Sequence, residues 1–178
     1  MNKLYVYIMR SRNKDNKGID GFKERCRIIV DYEENEEKIR KEFELFASGG
    51  LVGEKTRLYK SVNARDEEKC RKALAIRLIE GAPVAHIESL TASVCQRAEC
   101  KAESKWLFDF DREDKELLEK FLTEVKHFTP VFVSKTPHGY AIVADHGFDT
   151  RELFEKYSDC DITLKRDDML FLDMIEKH

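Results

Sequence analysis

The chain has 178 residues, 42% of them hydrophobic and 38% charged, with a net charge of −3. That length suits one well-buried domain or one domain of two lobes, and that composition excludes a disordered or low-complexity chain. No apolar run is long enough to cross a bilayer, the opening residues are too strand-like for a signal peptide, and the five scattered cysteines favour free thiols in a reducing compartment, so a cytoplasmic protein without membrane contact is expected.

In chain order, residues 4–10 read as a strand, followed by a polar loop through Lys14, Asn16, Lys17 and Gly18. Residues 22–32 read as a second strand, and its Ile28, Ile29 and Val30 predict burial on both faces. Glu33 to Ala47 has helical spacing, with Ile39, Phe43 and Phe46 on one face and Gly49-Gly50 as the stop. Residues 56–62 alternate as a strand, Arg57, Tyr59 and Ser61 on one face and Leu58, Lys60 and Val62 on the other. An arginine, an aromatic and a lysine clustered before a turn can hold phosphates and stack on a base, and equally can form a solvated strand face. A helix starts at Asp66 and runs to Gly81 with Cys70, Ala73, Leu74, Arg77 and Leu78 inward. Residues 84–104 carry a weaker helical period through Ile87, Leu90 and Val94 and read as the connection between lobes. Cys95 and Cys100 resemble half a zinc site, but no second Cys or His pair accompanies them.

The second part opens with Trp-Leu-Phe-Asp-Phe-Asp, 106–111, where an apolar strand acquires two carboxylates two positions apart. Alternation puts Asp109 and Asp111 on one face and Phe108 and Phe110 on the other. Two like charges side by side call for a bridging cation, with Mg²⁺ or Mn²⁺ the simplest choice, or the strand simply ends here with Asp111 capping the next helix. Residues 113–126 form the clearest amphipathic helix, through Leu117, Leu118, Phe121, Leu122 and Val125. A strand at 129–133, a turn at Thr136-Pro137-His138-Gly139 in which the glycine supplies an unusual backbone angle, and a strand at 140–144 make a hairpin. A short helix over 149–157 precedes strand material at 162–165 and 169–172, broken around Arg166-Asp167-Asp168. His86, His127, His146 and His178 have no partner at catalytic spacing and read as surface residues.

The expected class is α+β: a basic N-terminal α/β lobe over 1–105 and a C-terminal lobe over 106–178 in the β-α-β-β-α-β order of a ferredoxin-like split βαβ sandwich. Residues 1–105 carry 22 Lys and Arg against 18 Asp and Glu, and residues 106–178 carry 10 against 17. An acidic half that gathers metal ions beside a basic half that tracks phosphates suits a nucleic-acid enzyme. In the sandwich the first and third strands pair centrally, so Asp109, Asp111 and one of Asp167 or Asp168 would surround a two-metal site, with Ser134, Lys135 and His138 reaching the phosphates of a nucleotide.

Three segments carry a family resemblance. Trp-Leu-Phe-Asp-Phe-Asp, then Ser-Lys-Thr-Pro-His-Gly-Tyr-Ala-Ile-Val, then Ile-Thr-Leu-Lys-Arg-Asp-Asp-Met-Leu-Phe-Leu, resemble in order the three motifs of the archaeo-eukaryotic primase and primase-polymerase superfamily, in particular its small, phage-like members. The upstream Arg-Leu-Tyr-Lys-Ser-Val-Asn-Ala-Arg-Asp is similar to the N-terminal lobe of that family, so the resemblance spans roughly residues 56–172. It implies a two-lobed fold with an RNA-recognition-like C-terminal sheet and template-dependent nucleotidyl transfer on single-stranded or primed DNA. Nucleoside triphosphates would be the substrates, and a helicase or other replication partner would accompany the chain. It implies metal ligands at Asp109, Asp111 and Asp167, with Asp168 the alternative third acid, and nucleic-acid contacts at Arg57, Tyr59, Lys60, Asn63 and Arg65. One motif departs: the hairpin histidine of the family falls on Ala141, with His138 three residues earlier. The competing reading is a silent single-strand-binding module of the same fold, with Trp106, Phe108, Phe132 or Tyr140 as stacking platforms.

Overall fold

A computed structural model describes residues 3–145 and 147–178, so the surface position expected of His146 lies outside the described residues. The architecture is α+β, with two antiparallel four-stranded sheets and five α-helices among the described residues. No helix among them is long and apolar enough to cross a membrane.

The first sheet is built around β1 (Leu4–Ser11), which lies between β2 (Arg25–Tyr32) and β3 (Lys55–Ser61). Alternation sends Tyr5, Tyr7 and Met9 toward α1 (Glu36–Ser48), where Ile39 and Phe43 are buried. Leu4 and Val6 point the other way, against Cys70 of α2 (Glu67–Ile79) and Val94 and Cys95 of α3 (Ile87–Cys95). With helices on both faces, this strand has little use for polar residues. By contrast, β2 is an edge strand that pairs with β1 alone, and none of its residues is fully buried, so Ile28, Ile29 and Val30 are only partly covered. Asp66 caps α2 by accepting from the Lys69 N–H at 3.0 Å. The stretch 84–104 is part of this lobe: α3 buries Ala92, Val94 and Cys95.

The second sheet contains β4 (Trp106–Phe110), β5 (Val131–Thr136), β6 (Gly139–Ala144) and β7 (Ile162–Lys165) in the order β5-β6-β4-β7, so the first and third strands of the unit pair at its centre. Phe108, Phe110 and Ile142 face α4 (Lys115–Val125) and α5 (Arg151–Lys156), forming a core with Leu118, Phe121 and Leu153. The N-cap of α4 is Asp114, whose side chain accepts from the Leu117 N–H at 3.0 Å, so Asp111 is released from the capping role considered for it.

The last strand departs from expectation. β8 (Met169–Glu176) leaves the second sheet and pairs along β3, completing the first sheet as β2-β1-β3-β8. The break at Arg166-Asp167-Asp168 is a crossing between lobes, and a boundary that assigns all of 106–178 to one lobe is corrected accordingly. Leu172 and Ile175 pack against the α1 side of the first sheet, while Leu170 joins Val62, Leu107, Ala141 and Val143 in the apolar patch where the two sheets meet.

Asn63 holds this waist together. It is fully buried, and its side-chain amide donates to the backbone carbonyls of Lys105 and Arg166, each at 3.2 Å, and to Asp167 at 3.1 Å. Its Oδ1 accepts the Lys105 N–H. Both crossings between the lobes therefore end on one side chain.

Candidate functional site

Beside the apolar waist the sheets diverge into an open cavity of about 360 Å³. The second sheet supplies its acidic wall. Asp109 follows Leu107 on the face of β4 opposite Phe108, and Asp111 follows just past the strand end, so both reach the cavity. Asp168, on the crossing to β8, is the third acid lining it. Lys165 of β7 lies among them, its ammonium 2.8 Å from Asp109 Oδ2 and 3.1 Å from Asp168 Oδ2. Burial alone would lower the lysine pKa, but hydrogen bonds to the two carboxylates outweigh it and the net shift is upward.

The first sheet supplies a basic wall. Ile8 pairs with Tyr59 and Arg10 with Arg57 across β1 and β3, which puts Arg10, Arg57 and Tyr59 on one face, and Arg12 and Lys14 extend the wall from the following loop. That loop is fastened by Asn16, whose amide donates to the carbonyls of Arg12 and Lys55 at 2.9 and 3.0 Å and whose oxygen accepts the Lys55 N–H at 2.6 Å. Asp15 is thereby held where it receives both Arg12 and Arg57. Its burial favours the neutral acid, but the two guanidinium groups prevail and hold the carboxyl below its ordinary range. Arg57 is 7% exposed, and its Nε is buried without a hydrogen-bond partner.

His138 reaches the cavity through a turn whose geometry depends on close contact. Gly139 has no positive φ, so the unusual backbone angle expected of it is absent. It is needed for space instead, because a Cβ there would run into the carbonyl oxygen of Phe110. The strand end bearing Asp111 and the turn bearing His138 are thus pressed together. Ala141 forms part of the floor, buried against Leu107 and Val143.

Several expected site residues lie elsewhere. Asp167 turns away from the cavity into a two-pronged ion pair with Arg65, at 3.1 and 3.0 Å, and this arginine side chain is 3% exposed. Arg65, Asn63 and Asp167 are therefore structural anchors, and Asp168 stands where the third acid was sought. Lys60 lies over the Tyr5 ring at 4.1 Å and pairs with Glu33 at 2.9 Å, outside the cavity. Ser134 has a buried hydroxyl without a partner, Lys135 is exposed with Glu113 3.8 Å away, and neither lines the cavity. Of the proposed stacking platforms, Phe108 is fully buried and Trp106 and Tyr140 belong to the helix-covered core, which leaves Phe132 as the exposed one. The histidines at 86, 127 and 178 are exposed. Cys70, Cys95 and Cys100 are buried in the first lobe, and all five cysteines are free.

Arg10, Arg12, Lys14, Asp15 and Lys165 went unnoticed in the sequence. Part of the signal was present in the alternation: Arg10 shares a face of β1 with Ile8, and Lys165 shares a face with Asp109 once β7 pairs with β4, whereas Arg12 and Lys14 lie past the strand end, where alternation no longer applies. A divalent cation suits the donor set. Carboxylate oxygens are the ligands that Mg²⁺ and Mn²⁺ prefer, and Lys165 already places a positive charge between Asp109 and Asp168. No group of three His, Cys, Asp or Glu among the described residues is gathered tightly enough to hold an ion as they stand.

No protein-family model, curated protein or solved structure matches the chain.

Proposed function

We propose that this chain is a template-dependent nucleotidyltransferase of the primase-polymerase kind, joining nucleoside triphosphates on single-stranded or primed DNA with Mg²⁺ or Mn²⁺. One observation carries the reading: three carboxylates on one wall of the cleft, Asp109, Asp111 and Asp168, face the cations Arg10, Arg12, Lys14 and Arg57 on the other. A phosphoanhydride substrate needs both, since developing negative charge must be met by fixed positive charge. The second sheet, with its β5-β6-β4-β7 order, supports a ferredoxin-like, RNA-recognition-like catalytic lobe beside a basic one. The free cysteines support a cytoplasmic setting.

In this reading Asp109, Asp111 and Asp168 would hold the ions, which would supply charge neutralisation at the phosphates and a more acidic primer hydroxyl. The chain's own contribution is orientation. Asp15 fixes Arg12 and Arg57 before substrate arrives, so their donors pay little reorganisation on meeting phosphate oxygens. Tyr59, braced edge-on by Phe171 at 6.0 Å, offers a ring to a base or sugar. His138 is the imidazole at the cleft, in place of the one missing at Ala141. A helicase or other replication partner would supply strand opening.

Incubation with primed template, labelled nucleotides and Mn²⁺ tests this directly: extension that disappears in Asp109→Ala supports it. A second reading draws on Ala141 and on Lys165, which is paired with two of the acids: a module that binds single strands without chemistry. Metal-independent binding, unchanged in Asp109→Ala and without extension, would favour that reading and end the first.

A further inference from the structure

We propose that Lys165 and a divalent cation compete for the same pair of carboxylates, Asp109 and Asp168, so that the lysine seals the acidic wall until an ion displaces it into the cleft. This rests on the metal-dependent reading above and assigns that site a built-in control.

Two neighbouring acids on the same crossing show the contrast. Asp167 is held by the forked guanidinium of Arg65, with a third hydrogen bond from Asn63, in a setting where the arginine is almost wholly buried. Nothing small can enter there without unpicking the waist. Asp168 accepts the Met169 N–H at 2.7 Å through Oδ1, but its only side-chain partner is a single ammonium, shared with Asp109, and the three side chains keep exposures of 40% for Lys165, 24% for Asp109 and 38% for Asp168. An ammonium on a flexible, half-exposed stem is a point charge that can leave, whereas a locked guanidinium fork cannot do so cheaply.

Charge favours the exchange. Asp109 comes from β4 and Asp168 from the crossing, and the lysine supplies one positive charge between two negative ones. A divalent ion brings two charges and prefers carboxylate oxygens as ligands. Asp111 lines the same cavity and is exposed at its mouth, so it can add a further oxygen once the lysine moves. The displaced ammonium stays attached to β7 and faces a cleft already lined by Arg10, Arg12, Lys14 and Arg57. Ion entry thus removes a cation from the acidic wall and adds it to the groups available to a phosphate.

The sign of this effect is unusual, because deleting a cation from the site should improve binding only if that cation occupies the place of the ion. Mn²⁺ binding to the full chain is measured by titration calorimetry and by loss of the free-ion electron paramagnetic resonance signal, without nucleotide or DNA. Lys165→Gln and Lys165→Met should each bind Mn²⁺ about tenfold or more tightly than the native chain, since an adjacent unit charge is removed. Lys165→Arg should stay near the native affinity, and Asp109→Asn should weaken binding in every background. Mn²⁺ binding of equal strength in the native, Gln and Met forms would overturn the competition while leaving a metal site intact. Absence of Mn²⁺ binding from all forms at millimolar concentration would overturn both the competition and the metal-dependent reading.

Discussion

Replacing Asn63 separates a structural anchor from a nucleic-acid contact. In Asn63→Ala the amide loses its bonds to the Lys105 and Arg166 carbonyls and to Asp167, and the Lys105 N–H loses its acceptor. The site is fully buried, so water is poorly placed to repair the loss. Each hydrogen bond contributes a net ~1 kcal/mol, so the four together predict a loss of about 3–5 kcal/mol. For a chain of this size that corresponds to a melting point lower by roughly 6–20 °C. Asn63→Asp retains an acceptor for Lys105 but sets a carboxylate against Asp167 and two carbonyls, and it should be at least as damaging. Urea unfolding followed by circular dichroism and by Trp106 fluorescence measures the effect. A change below about 0.5 kcal/mol, the range of ordinary surface substitutions, would refute the assignment, and a simultaneous fall in DNA affinity would restore Asn63 to the binding surface.

Other outcomes are expected from the same structure. Gly139→Ala drives a methyl group into the Phe110 carbonyl, so it should lower the melting point and shift the hairpin away from the end of β4, seen as changed backbone resonances at Asp111 and His138 together. Asp15 has its pKa depressed in the folded chain, so its stabilising contribution is complete above the ordinary carboxylate value of about 3.9 and is lost as pH falls through the lower folded value. Asp15→Asn should therefore flatten the acid limb of stability plotted against pH, and an unchanged limb would argue against the Arg12–Asp15–Arg57 arrangement.

Much of this fold was legible because period and face are local properties. The stripe of Leu118, Phe121, Leu122 and Val125 identifies α4, and the alternation of Trp106 to Phe110 identifies β4 and the face of Asp109. Partnership is not local. The run Met-Leu-Phe-Leu at 169–172 reads as a strand in either sheet, and its choice of β3 depends on a register set more than a hundred residues earlier. Ile28 to Val30 read as covered on both faces, and they do pack on both, Ile29 toward α1 and Ile28 and Val30 toward α2 and α3, but their place on an edge strand, which leaves them only partly buried, depends on which strands the rest of the chain supplies. Asp167 and Asp168 posed the hardest choice, because adjacent residues outside a strand obey no alternation, and either could have turned inward.

What resolves them is the demand of the crossing itself. A chain that leaves one sheet for another exposes backbone groups that need partners, and here the Arg166 carbonyl is met by Asn63 while the Asp168 carbonyl accepts the Val62 N–H at 2.9 Å. Asp167 is drawn into the same anchorage by Arg65, whose own backbone N–H donates to Leu4 at the start of β1 at 2.7 Å. With one carboxylate fixed inward, the backbone carries its neighbour to the cavity side, facing Lys165 and Asp109. The anchor and the cavity-lining acid are thus consecutive residues turned opposite ways, one fixed by Arg65 and Asn63 and the other facing Lys165. Arg65→Lys, which keeps the charge but loses the fork, should therefore weaken Mn²⁺ binding at Asp168 although Arg65 does not line the cavity.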